Sequence, residues 1–412
     1  MKSGYTLLIH FYSLCVNLVA PFSPKARQWV RGRRGWKQKV RSFDRQNSKV
    51  LWIHCASLGE FEQGRPLIEK IVREKPGWKI VLTFFSPSGY EVRKEYDRAD
   101  LVMYLPADSP ANARYFLDSI RPDIVLIVKY EFWYNYLSEL KSRKIPTYLV
   151  SGIFRPSQYF FKRYGAFGKR MFSVFTHVFV QDNDSRALLG SIGYTDCTVT
   201  GDTRFDRVSQ IAAAAKDLPL IREFRGEGQL FVAGSSWDSD EEIIAGYINS
   251  HPDTMKWIFA PHVISEAHIS RIEKRLQVPS SRYSAYSGNN SESRVLIIDN
   301  IGMLSSVYRY ASMASVGGGF GKGIHNILEA ACWGIPVLFG PNYSNFREAV
   351  KLIELGGASV FHDFNTFSVI VDKYLVDGHA LSVAGKVSAA YVIENKGATE
   401  KVFDIIFSES AG

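Results

Sequence analysis

From residue 49 onward, short apolar runs alternate with segments of helical spacing. KVLWIHC (49–55) is an uninterrupted apolar run, as expected of a strand covered on both faces. The segment that follows, opening near Glu60, puts Leu67, Ile68, Ile71 and Val72 on one helical face. KIVLTFF (79–85), DLVMYLP (100–106), DIVLIVK (123–129), PTYLVSG (146–152) and HVFVQD (177–182) continue the series, each bounded by Pro, Gly or Asp. A helix-and-linker stretch over 212–228 interrupts it. The alternation then restarts with QLFVAGSS (229–236), KWIFAPH (256–262), RVLIID (294–299), SMASVGGG (312–319) and PVLFGP (336–341), and an amphipathic helix is predicted over roughly 380–408. Strands alternating with helices make parallel sheets covered on both faces. The expectation is an α/β chain of two Rossmann-like domains facing a central cleft, residues 46–211 and 229–412. Ligands of such sheets sit beyond the carboxyl ends of the strands, which is where the chemistry-bearing motifs fall.

The first 45 residues break the pattern. Tyr5 to Pro21 is apolar but interrupted by His10, Ser13 and Asn17, a little short and polar for a spanning helix of about 20 residues. Lys25, Arg27, Arg31, Arg33, Arg34, Lys37, Lys39 and Arg41 follow, with Trp29 and Trp36 among them. Basic side chains are drawn to anionic headgroups and tryptophan to the interfacial layer. The segment is read as a monotopic anchor on the cytoplasmic leaflet of a membrane; the alternative is a buried helix followed by a solvated basic loop. Composition narrows the class. A length of 412 residues suits two domains, and a net charge of +9 favours phosphorylated or anionic partners. The four cysteines are scattered, which argues against a disulfide framework or zinc site.

Five motifs carry candidate chemistry. HCASLGE (54–60) places Glu60 at a helix amino terminus, fit either for a general base or only for complementing the helix dipole. VKYEFWYNY (128–136) places Glu131 just past an apolar strand, beside Phe132 and Trp133, where it is a second acid or a salt-bridged partner of Lys129. SVGGGFGKGIHNILEA (315–330) is glycine-rich at Gly317, Gly318, Gly319, Gly321 and Gly323, and His325, Asn326 and Glu329 are expected in the first turns of the helix after it, a phosphate- and ribose-binding arrangement. In GDTRFDRV (201–208), Arg204 can clamp a phosphate or pair with Asp206 or another acid. After strand 229–234, Ser235 and Ser236 can bind phosphate or cap a helix, and Pro261 and His262 end the next strand. A dinucleotide-binding dehydrogenase would carry its glycine motif in the first βα turn, not several units into the second domain. His325 and Glu329 lack a third metal ligand nearby. A nucleic-acid-binding role fits poorly with acids in the cleft.

Taken in order, ASLGE, Glu131-x-Trp133-x-Asn135, GDTRFD, GSSWDSDEE, GGxFG, HNILEA and PVLFGP resemble the 3-deoxy-D-manno-octulosonic acid (Kdo) transferases across nearly the whole chain. The resemblance implies a GT-B-type, inverting glycosyltransferase that uses CMP-Kdo without a metal or other cofactor. It implies the lipid A precursor as acceptor and the cytoplasmic side of the inner membrane as location. It also implies Glu60 as base and Glu131 as second acid. Ser57 and Gly59 would shape the loop around that base, while Gly318, His325, Asn326 and Glu329 would belong to the nucleotide site. Arg155, Lys162, Arg163, Lys169 and Arg170 are candidates for acceptor phosphates, the alternative being a solvated or membrane-facing surface. The chain departs from the family pattern at Lys129, Tyr134, Val263 and Ile324. A nucleotide-sugar epimerase or hydrolase of the same fold is the alternative.

Overall fold

The computed structural model describes residues 2–129, 131–162, 165–288 and 292–408. The chain divides into two compact units, Met1–Arg207 together with Lys396–Gly412, and Val208–Asn395.

In the first unit, seven parallel strands are ordered β3-β2-β1-β4-β5-β6-β7. They are β1 (Lys49–Cys55), β2 (Trp78–Phe84), β3 (Leu101–Tyr104), β4 (Ile124–Val128), β5 (Thr147–Gly152), β6 (His177–Val180) and β7 (Cys197–Val199). The chain starts in the middle of the sheet, builds outward to β3, and returns to pair β4 with β1, with His54 opposite Ile127. The strand order reverses between β1 and β4, and a crevice opens at such a switch point beyond the strand ends. Glu60 follows β1 and Glu131 follows β4, so topology alone puts both acids at that point.

The second unit repeats the plan with order β10-β11-β9-β8-β12-β13-β14. Its strands are β8 (Leu230–Ser236), β9 (Lys256–Pro261), β10 (Ser280–Arg282), β11 (Val295–Ile297), β12 (Met313–Val316), β13 (Val337–Phe339) and β14 (Ala358–Val360). Here the reversal lies between β8 and β12, the strands that lead into Ser235–Ser236 and into the glycine loop.

Two expectations change. The sequence reading left residues 396–412 with the carboxy-terminal domain, but the helix Ala398–Ser408 packs on the helix Leu58–Glu74 of the first unit. Val402, Phe403, Ile406 and Phe407 join the core around Ile53, Phe61 and Ile71. Lys70, 6% exposed, ties the two helices by bonding Glu74 and Glu400. Asp206 caps the returning helix through Gly397 N and Thr399 N at 2.6 and 2.7 Å. Burial of four large apolar side chains outweighs any preference for the nearer unit.

The amino-terminal segment also differs. Trp29 is 7% exposed, packed edge-on to Phe85, and Trp36 packs edge-on to Tyr115 at 5.4 Å. Arg33 is buried: its guanidinium donates to the carbonyls of Leu105, Phe85 and Trp29 and lies 3.8 Å from the Trp29 ring centre. Burial lowers its pKa to about 9. These three residues hold the segment to the protein. By contrast, the helix Lys2–Val19 seats Tyr5 on Asp108 (2.7 Å) and leaves Leu7, Leu8, Phe11, Leu14 and Leu18 exposed. Among the described residues no helix is long and apolar enough to cross a membrane.

Candidate active site

The helix Leu58–Glu74 begins directly after β1. Ser57 is its N-cap, with its hydroxyl accepting from Glu60 N at 3.5 Å, and Gly59 stands exposed in the first turn. Glu60 is the third helical residue, the position from which a capping-box carboxylate reaches back to a backbone N–H. It accepts from Ala56 N, one residue upstream of the usual partner. This is the structural role open to a first-turn acid, yet the environment does more than cap. Burial and then the Glu131 charge raise the Glu60 pKa to about 7, against the opposing pull of the Ala56 bond and of Lys129. Such a carboxylate is half ionised near neutrality, the condition under which an acid works best as a general base.

Glu131 keeps its carboxylate 21% exposed, with Oε2 3.8 Å from Nε2 of the fully buried His54. That distance is too long for a hydrogen bond. The protonation of His54 follows from its neighbours. Trp133 Nε1, which can only donate, bonds His54 Nε2 at 3.2 Å. The nitrogen is therefore an acceptor, the proton sits on Nδ1, and Nδ1 donates to Thr83 Oγ1 at 2.9 Å. Thr83 Oγ1 also accepts from Trp52 Nε1 and donates to Ile53 O. With Nε2 accepting from Trp133, that nitrogen has no hydrogen to offer Glu131. Lys129, at the end of β4, takes a left-handed conformation (φ 63°) that a non-glycine residue adopts only under constraint.

Sequence reasoning found both acids but missed the hydrogen-bonded chain of Trp133, His54 and Thr83 that lies beside Glu131. HCASLGE and Glu131-x-Trp133 each contained one member, but only the β1–β2 and β1–β4 pairings show that they meet. Of the proposed acceptor contacts, Arg155 is exposed and Lys162 half-buried in the same unit; Arg163 lies outside the described residues. Arg204 is bound to Asp202, with Nε and Nη2 at 2.8 and 2.7 Å from Oδ2. Burial opposes the Asp202 charge, but Arg204 outweighs it and the pKa stays low. The alternative anticipated for Arg204 is an inter-domain salt bridge to Asp206 or another acid; the bond to Asp202 lies within one unit.

In the second unit, Ser235 is a bulge residue. Gly234 pairs with Ala260 and Ser236 with Pro261, which leaves Ser235 unpaired at φ 50°. Ser236 is 1% exposed and its hydroxyl donates to Glu241, so it is not available as a phosphate ligand. Glu241 also takes His268 Nε2 and Arg275, and Asp238 pairs with Arg271 and Arg275. Asp238, Glu241 and His268 have metal-ligand spacing, but two arginines already supply their cationic partner. His262 stacks between Trp237 (4.7 Å) and His325 (4.3 Å), and Trp237 Nε1 donates to His325 Nε2 at 3.0 Å. Burial, and for His325 also the His262 charge, lowers both imidazole pKa values.

The glycine loop is tightly used. Gly317 N bonds Gly234 O, Gly318 N bonds Asp240, Gly321 N and Gly323 N bond Gly318 O, and His325 N bonds Gly317 O. A Cβ on Gly317 would lie 2.2 Å from Ser235 O, and one on Gly319 would lie 2.6 Å from Gly340 Cα. The glycines therefore serve close backbone packing at the switch point, and these N–H groups are not an open phosphate cradle as expected. The predicted helix after the loop is also shorter. It spans only Leu328–Ala331, so His325 and Asn326 precede it, and Asn326 Nδ2 donates to Glu329 Oε1. Sequence reasoning overlooked Trp237 and Asp240. Asp240 Oδ2 joins Trp237 N and Gly318 N, and burial raises its pKa to about 6.

The sequence profile of the 3-deoxy-D-manno-octulosonic-acid transferase (kdotransferase) family matches residues 30–207. The 3-deoxy-D-manno-octulosonic acid transferase of Haemophilus influenzae is 25% identical over 407 residues, 95% of this chain and 94% of that protein. That of Aquifex aeolicus is 29% identical over 314 residues, 75% of this chain and 81% of that protein. Among solved structures, a UDP-GlcNAc 2-epimerase from Neisseria meningitidis bound to UDP-GlcNAc aligns with TM-score 0.62 at 16% identity, covering 87% of this chain and 100% of that one. MurG of Acinetobacter baumannii aligns at 0.55 and 11%, covering 87% and 99%. At such identities the structures establish the fold, which is that of the GT-B-like enzymes. By its amino-terminal profile and by relatives that run along most of its length, the chain is similar to the 3-deoxy-D-manno-octulosonic acid transferases.

Proposed function

We propose that the chain is an inverting glycosyltransferase that moves Kdo from CMP-Kdo to the lipid A precursor in lipopolysaccharide synthesis, with Glu60 as general base. The observation that carries this reading is Glu60 itself: a half-buried carboxylate at the β1–β4 switch point with its pKa raised to about 7. The acceptor hydroxyl gives its proton to Glu60 as its oxygen bonds the anomeric carbon of Kdo. The bond from that carbon to the CMP phosphate breaks, and the electron pair leaves on the phosphate oxygen. One displacement inverts the anomeric centre.

Ser57 and Ala56 N hold Glu60 in place, and Glu131 sets its proton affinity. The second unit's switch point is the proposed seat of CMP, with Trp237, His262 and His325 for the nucleotide, and Asn326 and Glu329 for ribose hydroxyls. The reaction is proposed to need no metal, so excess chelator leaves turnover unchanged. The exposed face of the helix Lys2–Val19 is proposed to lie in the cytoplasmic leaflet, so removal of residues 1–24 releases the protein from vesicles.

The test is to incubate the purified chain with CMP-Kdo and lipid A precursor and weigh the products. Addition of one or more Kdo masses to the lipid with release of CMP supports the reading. Free Kdo alone, or an epimerised donor, would replace it with the hydrolase or epimerase alternative.

A further inference from the structure

Beside Glu131 lies a cavity of about 360 Å³, lined by Glu131, Phe132, Trp133, Gln158, Tyr159 and Phe160. Its size is that of a small-ligand site, roughly 300–1,000 Å³. The lining has two characters. Four rings offer apolar surface, and one carboxylate and one amide offer hydrogen bonds. The rings are held in place. Trp133 is pinned through its N–H to His54 and packs on Phe85 at 4.7 Å; Phe160 is 3% exposed and packs on Phe132, Phe154 and Phe172. Tyr159, by contrast, is 44% exposed.

The polar groups are not used up. Among the described residues nothing donates a hydrogen bond to the Glu131 carboxylate, and the acceptor nitrogen of His54 stands 3.8 Å away. Gln158 Oε1 accepts from Arg155 N at 3.0 Å, which fixes the amide and leaves its NH2 for another acceptor. A half-buried carboxylate without donors is costly unless a ligand supplies them.

We infer that this cavity is a pyranose subsite: Glu131 accepts from ring hydroxyls, the Gln158 NH2 donates to a ring oxygen substituent, and the apolar face of the sugar lies against Trp133 and Tyr159. A ring with alternating apolar faces and hydroxyl edges matches both characters of the lining. The charge selects among sugars. With the Glu131 carboxylate in the lining and its charge felt by the neighbouring Glu60, an acidic sugar is repelled. The occupant is therefore a ring without a carboxylate, which on the transferase reading above, on which this rests, is a glucosamine ring of the acceptor and not the Kdo of the donor.

The experiment compares wild type, Tyr159→Ala and Gln158→Ala in steady-state transfer, varying each substrate separately, with far-ultraviolet circular dichroism to confirm folding. The KM for lipid A precursor rises about tenfold in Tyr159→Ala, the loss of one aromatic contact, and severalfold in Gln158→Ala. The KM for CMP-Kdo and the turnover number stay within about twofold. An unchanged acceptor KM in both variants overturns the subsite, and a raised donor KM in its place assigns the cavity to the donor sugar and overturns the choice of occupant. Saturation-transfer NMR with N-acetylglucosamine runs independently of turnover. If wild type transfers nothing but binds this sugar, and the variants do not, the transferase reading fails while the subsite stands. If wild type transfers and neither variant alters acceptor KM or the NMR signal, the subsite fails alone.

Discussion

Replacing Glu60 with glutamine tests the electrostatic argument without any substrate. Burial and the Glu131 charge raise the Glu60 pKa from 4.5 to about 7. At 1.36 kcal/mol per pH unit, ionising it in the folded protein costs about 3 kcal/mol more than in the unfolded chain. The sign follows from the direction. A group whose folded pKa is raised contributes nothing unfavourable below 4.5, where it is protonated in both states. As pH climbs through 7 the unfolded chain ionises freely while the folded protein is held back, and stability falls. The substituted amide stays neutral and still accepts from Ala56 N through its oxygen, so the variant escapes the loss. Urea unfolding of wild type and Glu60→Gln at pH 4.5 and pH 8 reads the difference. The two should be closely matched at pH 4.5, and the variant should gain up to about 3 kcal/mol relative to wild type at pH 8. Other titrating groups cancel in the comparison. A difference that does not change with pH, or one favouring wild type at pH 8, refutes the claim that Glu60 is strained by its charge.

Two further outcomes follow. Glu131→Gln removes the second cause of the raised Glu60 pKa, so infrared titration of the Glu60 carboxylate should shift its midpoint below about 7; an unmoved midpoint would leave burial as the sole cause. Gly317→Ala forces a Cβ to 2.2 Å from Ser235 O and should destabilise the protein by about 1–3 kcal/mol or more, whereas Gly59→Ala meets nothing within 4 Å and should stay within about 0.5 kcal/mol, both read by thermal melting.

Much of the architecture was legible because fully buried parallel strands are continuous apolar runs: β1, β2, β4, β5 and β8 stand out in the sequence. The strands that escaped, β7, β10 and β14, have three residues each and lie at sheet edges, where one side is open and no apolar run is required. The stretch 380–408 reads as one amphipathic helix but is two, Gly378–Glu394 and Ala398–Ser408, and its spacing says only that one face is buried, not against which sheet. In the site, Glu60 and Glu131 were legible from their places after strands. The bonds of the neighbouring His54 were not, because Thr83 meets it through the register of β1 and β2, and Trp133 reaches it from the start of the helix Tyr134–Ser142 after β4. The glycine loop shows the opposite failure. Its composition suggested an open cradle, and the structure spends those glycines on packing against Ser235 and Gly340. Likewise Arg33 reads as one more member of a basic run, yet three backbone carbonyls and a tryptophan ring bury it.

The central claim is that Glu60 takes the acceptor's proton. Its most direct test is the pH dependence of transfer from CMP-Kdo to lipid A precursor, measured as turnover number for wild type and Glu60→Gln. Wild-type turnover should rise as the carboxylate ionises, with an apparent midpoint near 7, and the glutamine variant should lose at least about a hundredfold and show no such rise. A glutamine variant that keeps near wild-type turnover with the same pH profile contradicts the account.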